Sequence, residues 1–153
     1  MARRQVPVAR KRASVMPELQ VTVTGLAAPK SVTFTRHGNY NNKRVRSWMD
    51  FVRDTTLVEF VRQSKQYQAP LPTVPVGIVV DVYLPWPKRT PKKQAAANGA
   101  HVSKPDADNL LKPIMDALSE AGLWADDNQV DRIFLQKWRC PRGEERAEIT
   151  VTW

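Results

Sequence analysis

Cysteine is almost absent from this sequence. Cys140 stands alone among 153 residues, so no internal disulfide can form. A single thiol suits a reducing compartment, and a cytoplasmic location is expected. Histidine is nearly as scarce, with 2 residues, and without pairs of Cys and His there is no ligand set for zinc. No apolar run approaches the roughly 18 residues that cross a bilayer, which excludes a membrane-spanning helix. Gln5-Val6-Pro7-Val8-Ala9 is too short and too polar for a signal-peptide core, and Pro7 opposes a helical transit peptide. Internal repeats are also lacking. Acidic residues are the minority, 15 against 24 Lys and Arg, which leaves a formal charge of +9.

That surplus asks for a polyanionic partner, because lysines and arginines displace the counterions condensed on nucleic acid. Removing the five charges of Arg3, Arg4, Arg10, Lys11 and Arg12 from +9 still leaves +4, so the body of the chain is basic in its own right. Residues 1–17 lack hydrophobic periodicity and read as a basic arm. Residues 18–153 read as a single domain.

Within that domain Leu19, Val21 and Val23 alternate with polar residues, the period of a half-buried strand. Residues 28–42 look irregular, with a Gly38-Asn39 turn signal. From 43 to about 66 the spacing becomes helical, with Val45, Trp48, Met49, Val52, Val58 and Val61 on one face and Arg46, Arg53 and Arg62 away from its centre. Val76, Ile78, Val80, Val82 and Leu84 form a second alternating run. Residues 85–104 read as a basic loop, with nothing to bury between 88 and 104. A helix over 107–121 follows, with Gly122 placed to stop it. A strand over 130–138 and another ending in Ala147, Ile149, Val151 and Trp153 complete the chain. This order predicts an α/β (α+β) fold, a small mixed sheet of about four strands with two main helices packed on it.

The charge balance reverses between 106 and 131, where Asp106, Asp108, Asp116, Glu120, Asp126, Asp127 and Asp131 gather. Carboxylates concentrated in a basic protein are what a metal-dependent phosphodiesterase requires, with cations to hold DNA and oxygens to hold Mg²⁺. Asp106 and Asp108 straddle the helix start, where two carboxylates can approach a common point. Lys112 lies one turn after Asp108 and could offset charge on a phosphate. Other roles stay open. Asp106 is also a natural helix N-cap, Asp126-Asp127-Asn128 a natural turn, and Asp108 with Lys112 a natural surface ion pair. His101 reads as a solvated loop histidine, and Trp86, between prolines, as a candidate for stacking on bases.

Lys104-Pro105-Asp106-Ala107-Asp108-Asn109-Leu110-Leu111-Lys112, followed by Asp116-Ala117-Leu118, Gly122-Leu123-Trp124 and Asp126-Asp127-Asn128-Gln129-Val130, resembles the signature of the RusA family of Holliday-junction resolvases. The resemblance implies a small homodimeric endonuclease, typical of phages and prophages, that cuts four-way and other branched DNA in recombination and repair with Mg²⁺, for which Mn²⁺ substitutes. Its essential aspartates fall on Asp106, Asp108 and Asp127 and its lysine on Lys112, while Asn109 and Asp126 match as supporting neighbours. Lys88, Arg89, Lys92, Lys93 and Lys104 are the expected DNA contacts. The alternative is a non-catalytic protein of the same fold that binds branched DNA. Pro113 falls inside the motif helix, so that helix either begins near Lys112 or kinks there.

Overall fold

The computed structural model describes residues 17–30, 32–35, 38–63, 69–70 and 72–153. The basic arm before Pro17 lies outside the described residues. Ten elements follow in chain order: strand β1 (Glu18–Thr24), β2 (Val32–Thr35), β3 (Gly38–Asn41), helix α1 (Lys43–Gln63), β4 (Val76–Pro85), α2 (Lys92–Ala95), β5 (Gly99–Ala100), α3 (Ala107–Glu120), β6 (Val130–Cys140) and β7 (Arg146–Thr152).

Five strands form one mixed sheet in the order β1-β7-β4-β6-β5, with β4 and β6 parallel and the other neighbours antiparallel. A parallel pair needs a crossover between its strands, and here the crossover carries α2, β5 and α3. The alternating runs behave as their period requires. Leu19, Val21, Val23, Ile78, Val80, Val82, Ala147, Ile149 and Val151 are buried beneath α1 and α3. The helices supply Val45, Trp48, Met49 and Val52 from α1, and Leu110, Ile114, Ala117 and Leu118 from α3.

Three expectations are corrected. Strands β2 and β3 pair antiparallel where an irregular segment was expected. The buried stripe of α1 does not continue to Val58 and Val61, which are 65% and 71% exposed; Thr56 takes the next inward place. A threonine is tolerated there because its hydroxyl donates to the Val52 carbonyl at 2.7 Å and leaves no polar atom unpaired. Residues 88–104 are not featureless either, since they hold α2 and β5, the latter paired with β6.

Pro113 neither starts nor ends α3 but lies inside it, buried. Proline has no N–H to offer the carbonyl four residues back, which is that of Asn109. The fold supplies a substitute donor from elsewhere: the Lys30 N–H donates to the Asn109 carbonyl at 2.6 Å. At its far end α3 closes with Gly122 at φ +78, whose N–H reaches the Ser119 carbonyl while that of Leu123 reaches Leu118. This is the 6→1 and 5→2 pairing of a Schellman stop.

Candidate active site

Asp106 occupies the N-cap position of α3 in extended conformation, yet its side chain makes no capping hydrogen bond. Asp108, in the first turn, pairs with no cation among the described residues. Both are exposed. Two carboxylates with no side-chain partner among the described residues therefore flank a helix N-terminus, where the peptide dipoles already favour negative charge. The surface ion pair left open between Asp108 and Lys112 does not form, since Lys112 pairs with Asp116 and Asp127.

Lys112 turns the other way. Its ammonium meets Asp116 at 2.6 Å and Asp127 at 3.3 Å. The bond to Asp116, and then that to Asp127, hold the lysine above its ordinary pKa, against the opposing effect of partial burial. Asp127 begins a single 3-10 turn, Asp127–Gln129, that leads into β6. Its other carboxylate oxygen accepts the Trp124 indole N–H at 3.0 Å. Asp126 accepts the Asn128 N–H at 3.1 Å and shapes that turn. Gln129 locks the same loop from behind: its side chain donates to the Val74 carbonyl at 2.9 Å and accepts from the Ala125 N–H at 3.2 Å.

The set read from the sequence is thus split. Lys112 and Asp127 are brought together; Asp106 and Asp108 stand apart from that pair's bonds. Among the described residues no three His, Cys, Asp or Glu side chains are grouped so as to hold one ion. The chemistry of the donors nevertheless fits a hard divalent cation, because the three aspartates offer oxygen only and two of them have no side-chain partner among the described residues. Asp116, Trp124 and Gln129 are the residues that sequence reasoning passed over. Asp116 had a signal, standing one turn beyond Lys112, whereas the partners of Trp124 and Gln129 follow from the loop's own geometry.

Charge is distributed unevenly around this site. On α1, Arg46 pairs with Asp50 and Glu120, Arg53 with Asp50 and Asp54, and Arg62 with Glu59. By contrast Lys88, Arg89, Lys92, Lys93 and Lys104 are exposed and make no ion pair among the described residues. Trp86 anchors this basic segment. Its indole N–H donates to the Ala97 carbonyl at 2.8 Å, Arg139 lies over its ring at 5.9 Å, and Gly99 packs so close that a Cβ there would come within 2.7 Å of the ring. The fold uses it to tie this segment to β5 and β6. His101 is also not solvated: it is 5% exposed, and its Nδ1 has no hydrogen-bond partner among the described residues.

A family model described as endodeoxyribonuclease RusA matches residues 20–152, nearly the whole chain. The chain belongs to the RusA family. Uncharacterized protein YqaN of Bacillus subtilis (strain 168) is 35% identical over 85 residues, which cover 52% of this chain and 58% of that protein. The chain therefore spans little more than half the length of that relative. Among the described residues no helix is long and apolar enough to cross a membrane.

Proposed function

We propose that this RusA-family chain is a Mg²⁺-dependent endodeoxyribonuclease that cuts four-way and other branched DNA as a homodimer. One observation carries the reading. Asp106 and Asp108, two carboxylates without side-chain partners among the described residues, open the helix that directly follows a basic segment whose cations make no ion pair among the described residues. Lys88, Arg89, Lys92, Lys93 and Lys104 would hold the phosphates, and Asp106, Asp108 and Asp127 would hold the cation. Such a cation, when bound, would supply Lewis-acid polarisation of the scissile phosphate and activation of water. Lys112, kept protonated by its two carboxylate partners, offsets the charge that develops on the phosphate oxygens. Asn109 and Asp126 support the segments that carry the aspartates. Two-fold symmetry suits a substrate that must be cut at two equivalent strands.

A labelled four-way junction incubated with protein and Mg²⁺ should yield paired nicks, and chelator should abolish them. A second reading is a branched-DNA-binding protein of the same fold without catalysis. It draws on the lack of a three-carboxylate cluster among the described residues. Junction binding without nicks at any Mg²⁺ or Mn²⁺ concentration would favour it.

A further inference from the structure

Lys137 lies on β6, opposite Val82 of β4. Residues directly opposite on neighbouring strands project to the same face, and Val82 is fully buried in the core. Lys137 thus occupies a place on the helix-covered face where an apolar residue would gain from burial. It is half-buried and, unlike Lys112, pairs with no carboxylate among the described residues. An ammonium drawn partly out of water without a counter-ion is costly. Two of its three protons instead go to backbone oxygens: it donates to the Ser103 carbonyl at 2.8 Å and to the Pro105 carbonyl at 2.8 Å. Next along the strand on the same face, Arg139 donates to the Ser103 hydroxyl at 2.6 Å and to the Pro85 carbonyl at 2.9 Å.

The Pro105 carbonyl belongs to the peptide group that carries the nitrogen of Asp106. A helix start is ordinarily pinned by its N-cap side chain bonding back to the first turn. Here the N-cap is Asp106 and its side chain makes no such bond. We propose that Lys137 is the positioning residue of this site. It fixes the Asp106 backbone from behind, through the carbonyls of Ser103 and Pro105, so that the carboxylate is released from capping and stays available to a divalent cation. The assignment rests on the reading of Asp106 and Asp108 as ligands of that cation.

Lys137→Met retains the aliphatic stem and removes every donor, while Lys137→Arg retains charge and donors. Two measurements without DNA test the idea: Mn²⁺ binding, read from loss of the free-ion electron paramagnetic resonance signal, and amide hydrogen exchange over residues 103–110. Lys137→Met should weaken Mn²⁺ binding about 10–100-fold, as loss of a residue supporting a ligand typically does. It should also speed exchange across 103–110, and Lys137→Arg should restore most of both. Wild-type Mn²⁺ binding by Lys137→Met, in a background where Asp106→Asn loses it, overturns the positioning role alone. Unaltered Mn²⁺ binding by Asp106→Asn overturns the ligand reading, and the proposal with it. Should Lys137→Met not fold, Lys137→Gln, too short to reach both carbonyls, serves the same comparison with the same two outcomes.

Discussion

Asp106, Asp108 and Asp127 differ in how much of their bonding capacity the fold already occupies. The first two have no side-chain partner among the described residues, whereas Asp127 already serves Trp124 and Lys112. Replacing any of the three by Asn keeps shape but removes the charge that retains a cation. Asp106→Asn, Asp108→Asn and Asp127→Asn are each expected to abolish cleavage and leave junction binding intact. Gel shift in chelator beside single-turnover cleavage checks this, and a variant that cuts at near wild-type rate drops out of the site. Lys112→Ala should act differently, slowing cleavage by about 10²–10³-fold, the usual loss for a contact made to developing charge. An unchanged single-turnover rate would reduce Lys112 to a tether between Asp116 and Asp127.

At the scale of elements, the segment joining β4 to α3 does more than expose lysines. Burial, and then the nearby charges of Arg139 and Lys137, push the His101 imidazole below its ordinary pKa. A histidine held neutral in the fold binds fewer protons than in the unfolded chain once pH falls through about 6.5. Its stabilising contribution is therefore complete above that value and declines as pH falls toward the folded pKa. The urea midpoint should drop between pH 7 and pH 5, and His101→Gln should flatten the drop; an equal drop in the variant would assign it to other groups. Gly99 offers a second check. A methyl there would meet the Trp86 ring at 2.7 Å, so Gly99→Ala should displace β5 from β6 and open the segment to limited proteolysis. A cleavage pattern identical to wild type would show that the ring yields instead.

For the whole molecule, the formal +9 matters less than where it remains unneutralised. Arg46, Arg53 and Arg62 of α1 are engaged by Asp50, Asp54, Glu59 and Glu120, and so make a poor track for phosphates. Changing Lys88, Arg89, Lys92 and Lys93 together to Gln should weaken junction binding and flatten its dependence on salt. Each lost phosphate contact removes about 0.9 of slope in the logarithmic plot. The same slope measured after neutralising Arg46, Arg53 and Arg62 should hardly move. A reversed result would put the DNA across α1. Sedimentation of the wild-type protein at micromolar concentration tests the proposed dimer alongside.

Period and composition were enough to specify most of the fold. Strict alternation marked β1, β4 and β7, and three-to-four spacing marked α1 and α3, because one buried face imposes its repeat on the chain. Gly122 was legible as a helix stop for the same local reason: only a residue without Cβ takes that φ cheaply. The motif residues could be named, but not the partners they choose. Whether Lys112 turns toward Asp108 or toward Asp116 and Asp127 depends on where the loop before β6 lies, which chain contacts far apart in sequence decide. Only the tertiary structure could show that Pro113 is accommodated by Lys30, that Trp86 is a clasp, and that Lys137 reaches the peptide before Asp106. A side chain's identity sets what it can bond; the packing of distant strands and helices sets which of those bonds it makes.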